Sequence, residues 1–149
     1  MSSGLIFLIL LVVIGIVVAG LYNRLVGLRN GAEEALKSID VFLKQRYDLI
    51  PNLVNTIKGY TQYESGTLEK IVQLRSQAMS AGSADGGAAE NALSGALKSV
   101  FALAENYPDL KANQEFLQLQ QTLSGLEESI QRARRYYNAS VRDLNNAVE

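Results

Sequence analysis

Two clusters of charged and aromatic side chains are where this sequence could do chemistry. Lys44, Arg46 and Asp48 fall within about a turn and a half of any helix that holds them. Arg132, Arg134 and Arg135 lead directly into Tyr136, Tyr137 and Asn138. Either set could hold an acidic ligand or a lipid headgroup through charge-assisted hydrogen bonds. The simpler reading, and the favoured one, is pairing between helices and solvated faces, worth about 0–1 kcal/mol per exposed pair. The 149 residues include no His and no Cys, which removes the commonest general base and metal ligand together with thiolate and disulfide chemistry. Paired carboxylates working as acid and base need a cleft, and a closed helical domain of this size offers none. The small-residue stretch Ser80 to Gly87 lacks a following Gly-Lys-Ser/Thr and a preceding strand, so it is not a phosphate loop. No catalytic, cofactor-binding or metal-ligating residue is therefore assigned, and no cofactor is implied. A net charge of −1 argues against a nucleic-acid-binding face.

The elements that carry these residues begin with an apolar run. Leu5 to Leu21 contains 17 residues without a charge, and fourteen of them are Leu, Ile, Val or Phe. At roughly −0.3 to −0.6 kcal/mol each near the centre of a membrane helix, they favour insertion by several kcal/mol. Ser3, Gly4 and Tyr22 extend the run toward the length of a bilayer core, and Tyr22 suits the headgroup layer. The absence of Lys and Arg in Met1 to Gly4 argues against a cleaved signal peptide. Residues 1–22 thus form a transmembrane anchor and residues 23–149 a helical domain. Arg24, Arg29 and Lys37 follow the anchor and none precedes it, which places the N-terminus outside and the domain in the cytoplasm.

Behind the anchor, hydrophobic residues recur every three or four positions. One stripe runs Leu25, Leu28, Ala32, Leu36, Ile39, Leu43, Tyr47, Ile50, Val54 and Ile57. Its period continues the anchor helix into the cytosol, with a kink expected at Pro51. Leu68, Ile71, Val72, Arg75, Ala78 and Met79 mark a second helix. Leu93, Leu97, Val100, Leu103 and Tyr107 lie on a third, ended by Tyr107-Pro108-Asp109. The loop between them is Ser80 to Gly87, with Asp85 as a helix cap. A last stripe from Phe116 through Leu123, Ile130 and Tyr137 to Val148 follows a cap at Asn113. The fold class is all-α: a single transmembrane helix continuing into an antiparallel up-down-up-down four-helix bundle with two long and two short helices. A rod fusing the first two helices would leave half of the last stripe uncovered. Antiparallel register puts Arg46 and Asp48 opposite Gln120, Glu127 or Glu128, and Arg132 to Asn138 opposite Arg29 to Leu36.

At these residues the sequence resembles the LemA family. Tyr22-Asn23-Arg24-Leu25-Val26, then Leu43 to Val54 with its Asp48-Leu49-Ile50-Pro51-Asn52-Leu53-Val54 run, and Lys58-Gly59-Tyr60 with Glu64 carry the first half. Ala104 to Asn113, including Tyr107-Pro108-Asp109-Leu110-Lys111-Ala112-Asn113, Phe116 to Gln120, and Ala133 to Asn138 with Val141 carry the second. Family members usually continue past the Tyr-Asn motif into a tail with a Phe-Pro element, whereas this sequence stops at Glu149. The resemblance implies a bacterial membrane protein with an antiparallel helical bundle and brings no enzymatic activity. The expected function is a self-associating scaffold or adaptor at the bacterial cytoplasmic membrane, a homo-oligomer held in the bilayer through Leu5 to Leu21. Gly15 and Ala19, four apart, would let anchors approach closely. The alternative is a sensory or regulatory module whose ligand site is lined by Gln118, Gln120, Gln121, Tyr60, Tyr63 and Tyr107.

Overall fold

The computed structural model describes residues 2–85 and 87–148, without the side chains of 82–85. Its elements are α1 (Ser3–Lys58), α2 (Ser65–Asp85), α3 (Gly87–Leu103), a 3₁₀ turn (Ala104–Asn106), α4 (Pro108–Ala112) and α5 (Gln114–Val148). The protein is all-helical, with no strand among the described residues.

The apolar run and the first amphipathic stripe are one helix, because nothing between Leu21 and Leu25 interrupts the period. Pro51 lies inside α1 and does not end it. The helix stops at Lys58, where the amides of Tyr60 and Thr61 both turn back to the Ile57 carbonyl. A fused rod is thereby ruled out.

Two expectations need correction. The predicted loop from Ser80 to Gly87 is helical through Asp85, and α3 already begins at Gly87. Alanines at 78, 81 and 84 favour the helix, and the Ser80 hydroxyl is satisfied within it by donating to the Ser76 carbonyl at 3.0 Å. The capping role expected of Asp85 lies outside the described residues. The third helix also ends sooner than Tyr107, and a short additional helix follows. Tyr107 is held out of the helical region (φ −123°, ψ 86°) by the proline after it, and Pro108 then starts α4 at the position where its missing amide costs nothing. Asn113 caps α5 as expected. Its backbone is extended, and its Oδ1 accepts from the Phe116 amide at 2.9 Å.

Two compact units divide the chain. The first comprises Met1–Leu36 with Arg134–Glu149. Here the apolar side chains from Leu5 to Leu21 are exposed, whereas Ala32, Ala35 and Ser140 are buried. A Cβ built on Gly31 would lie 3.4 Å from the Tyr136 hydroxyl, so α1 and α5 meet through small residues. This places Tyr136 beside the Arg29 to Leu36 stretch, as the register requires. The second unit is Lys37–Ala133. Its core gathers Ile50, Leu53 and Ile57 of α1, Leu68 and Ile71 of α2, Leu93 and Val100 of α3, Leu110 of α4, and Phe116 and Leu123 of α5. Each such side chain withdrawn from water contributes about 1.5–3 kcal/mol. Phe101 meets Phe116 edge to face, with ring centroids 6.1 Å apart.

Candidate functional site

One turn of α1 carries a polar hub inside the second unit. Arg46 is 1% exposed, as is Glu90 in the first turn of α3, and their side chains form an ion pair. The other end of the guanidinium, Nη1, donates to Glu127 Oε2 on α5 at 2.7 Å and to Ser94 Oγ on α3 at 2.9 Å. The Ser94 hydroxyl in turn donates a hydrogen bond to Glu127 Oε2, also at 2.9 Å. The hydroxyl of Tyr47, next along α1, donates to the second carboxylate oxygen of Glu90. Glu127 Oε1 accepts from Gln131 at 3.2 Å. Of the guanidinium nitrogens only Nε finds no hydrogen-bond partner.

The geometry decides between the two readings of the charged residues. Lys44 and Asp48 are exposed and belong to solvated faces. Arg46 does pair with Glu127, one of the three residues antiparallel register offers, but the pair is not a surface one. A buried arginine shared by a serine and two glutamates, one of them also bonded by Tyr47, is a fixed internal staple across α1, α3 and α5. Glu90 was missed because the stretch before Leu93 reads by composition as loop. Its only sequence signal is an acidic residue in an otherwise small and apolar run.

The same turn explains how a proline is tolerated in mid-helix. Pro51 has no amide to give the carbonyl four residues back, which is that of Tyr47. Arg75 of α2 reaches across and donates its Nε to that carbonyl at 2.7 Å. The freed acceptor thus fixes α2 on α1. Arg75→Met should cost about 1–3 kcal/mol by leaving the carbonyl unpaired. In a Pro51→Ala background, where a backbone amide can again reach Tyr47, the same change should cost under about 0.5 kcal/mol. Denaturant midpoints of the four proteins check this.

A second set of ties joins the remaining motif residues. Tyr107 donates to Glu64 Oε1 at 3.0 Å, and Asn113 Nδ2 donates to the Tyr60 hydroxyl at 2.7 Å. Tyr60, Tyr107 and Asn113 are therefore used in holding the loop after α1 against α4 and the start of α5. Tyr63 stands 93% exposed, and Gln118 and Gln121 are exposed on α5. These residues do not converge on a common site. In the second cluster Arg132 is exposed and reaches only Ser129, at 3.4 Å, while Tyr136 faces Gly31. No group of three or more His, Cys, Asp or Glu residues placed to hold a metal occurs among the described residues.

An apolar N-terminal helix joined to helices stapled by a buried arginine defines an all-α protein. The sequence model of the LemA family matches residues 35–149, and the chain belongs to that family. Protein LemA of Metamycoplasma hominis is 28% identical over 149 residues, an alignment covering 97% of this chain and 67% of the relative. The matched region contains both the hub and the second set of ties. The Arg46-Tyr47 to Pro51 run and the Tyr107 to Asn113 run, which carry the resemblance in sequence, are the segments that make these long-range hydrogen bonds.

Proposed function

We propose that the protein is a single-pass bacterial membrane protein that displays an antiparallel up-down-up-down helical bundle in the cytoplasm as a self-associating scaffold or adaptor, without catalysis. The observation that carries this reading is the N-terminal part of α1. It is the one helix among those described that is long and apolar enough to cross a bilayer, and its most apolar stretch is buried nowhere in the protein. An uncovered apolar surface of that size calls for lipid or a partner. Residues 1–22 then serve as the anchor and residues 23–149 as the displayed domain. The outward N-terminus rests on Arg24, Arg29 and Lys37 following the apolar run.

Antiparallel packing of α1 and α5 is supported within the second unit by the contact of Arg46 with Glu127 and by that of Tyr60, just past the end of α1, with Asn113, just before the start of α5. The step from 46 to 60 on one side equals the step from 127 back to 113 on the other. A non-catalytic role is supported by the hub's chemistry, since its carboxylates are bonded to Arg46, Tyr47, Ser94 and Gln131. Self-association is supported by the open surroundings of Gly15, which has nothing within 4 Å of an added Cβ and lies four residues before Ala19.

Cysteine placed at Gly15 or at exposed Tyr136 can be oxidised in native membranes, because the sequence has no other thiol. Discrete disulfide-linked species through position 15 are expected. A chain that stays monomeric at both positions, and runs as a monomer by light scattering in detergent, excludes the scaffold reading.

A further inference from the structure

Within the second unit, α3 and α5 leave a half-open pocket of about 200 Å³ beside the hub. Its wall is built from Ser94, Leu97, Lys98 and Phe101 of α3 and Leu123, Ser124 and Glu127 of α5. Helical spacing orders these residues. Ser94 and Lys98 are one turn apart on α3, Leu97 and Phe101 form the neighbouring row, and Leu123 precedes Glu127 by one turn on α5. The pocket therefore has a polar end, where Ser94 and Glu127 are hydrogen-bonded to one another, and an apolar end at Phe101 and Leu123. Lys98 stands on one side, one turn along α3 from Ser94.

The charges at the polar end are incompletely matched. Glu127 shares its arginine with Glu90. Of about four lone-pair directions on a carboxylate, Glu127 uses two on Oε2, for Arg46 and Ser94, and one on Oε1, for Gln131 at 3.2 Å. Its side chain is 28% exposed, and Oε1 keeps a lone-pair direction that none of these bonds uses. Lys98 makes no ion pair within 4.0 Å among the described residues and is exposed. An ammonium acceptor and an unpaired ammonium thus flank an apolar slot.

We propose that this pocket binds a small zwitterion with an aliphatic body, of the chemical class of an apolar α-amino acid. Its ammonium group donates to Glu127 Oε1, its carboxylate pairs with Lys98, and its side chain lies along Leu97, Phe101 and Leu123. The pocket is below the size range of about 300–1,000 Å³ usual for drug-sized ligands, which suits a molecule no larger than leucine. A lone cation would leave Lys98 unpaired and repelled, and a lone anion would face Glu127. Only the zwitterion answers both charges. Occupancy would bridge α3 and α5 beside the staple that already joins them. This site stands independently of the scaffold reading.

The test uses the full chain in lipid nanodiscs and follows the methyl resonances of Leu97 and Leu123 during titration with L-leucine. Saturable shifts at both are expected. 3-Methylbutylammonium and 4-methylpentanoate, each lacking one charge, should bind at least about tenfold more weakly, as expected for loss of one charge-assisted contact. Lys98→Met changes an exposed residue outside the hub and should weaken leucine by a similar factor without weakening the amine, which loses a repelling charge. Leucine shifts that fail to saturate, a single-charge analogue that binds as tightly as leucine, or an unchanged leucine affinity in Lys98→Met would each overturn the proposal.

Discussion

Arg46→Met is expected to remove about 3–5 kcal/mol of stability, because it strips the shared cation from a buried cluster and leaves its carboxylates uncompensated. The hub supports so large a value for three reasons. Arg46 and Glu90 are each about 1% exposed, so water cannot replace the lost partner. The guanidinium holds three residues on two other helices, so its removal loosens α3 and α5 together. The methionine has nearly the length of the arginine stem, so the loss is electrostatic rather than a cavity. Glu127→Gln should be much milder, about 1 kcal/mol, since the amide keeps an acceptor for Ser94 and Arg46 and the side chain already touches solvent. Converting the cluster to apolar residues as Arg46→Met, Glu90→Leu and Glu127→Leu together should recover most of the loss, because desolvated ions are expensive even when paired. Urea denaturation followed by helical circular dichroism in nanodiscs distinguishes these cases. If Arg46→Met costs less than about 1 kcal/mol, the hub is wet and not a staple.

How much of this was legible beforehand depends on the kind of signal each feature leaves. The apolar stripes are periodic and long, and Ile39, Leu43, Ile50, Ile57, Leu123 and Ile130 are buried as their spacing demands. The stripes plus antiparallel register bring Arg46 near Gln120, Glu127 or Glu128, and the structure selects Glu127 among them. Glu90 leaves no such trace. Its role depends on α3 starting at Gly87, and small residues on either side disguise a helix as a loop. Helix formation there is decided by packing of Leu93 and Ala78 into the core, not by local composition. The partnership of Arg75 with Pro51 was half visible. Proline announces a freed carbonyl at Tyr47, but the rotation of α2 that brings Arg75 to it is a tertiary fact. The charged residues looked like a surface because charge is usually outside. Here one of them is inside, and its companions Lys44 and Asp48 on the same turn are not.

A pair of aspartates at Leu10 and Val13 should abolish membrane integration, while either alone should not. The fourteen Leu, Ile, Val and Phe residues of the apolar run supply about −4 to −8 kcal/mol toward insertion. One aspartate at the helix centre costs about 2.5–3.5 kcal/mol and forfeits the contribution of the residue it replaces, which leaves a net gain. Two cost about 6–8 kcal/mol and cancel it. The positions are three apart, on one side of the helix, so the two carboxylates cannot be hidden on opposite faces or snorkel to opposite surfaces. The folded core should survive the change, because none of residues 5–21 is buried in the protein. Carbonate extraction of membranes reads the outcome. Wild type, Leu10→Asp and Val13→Asp are expected in the pellet, and the double variant in the supernatant with its helical content retained. A double variant that remains in the pellet would show that the chain is held to the membrane by something other than its apolar helix. A supernatant form that has unfolded would show instead that the apolar run supports the core, against its complete exposure.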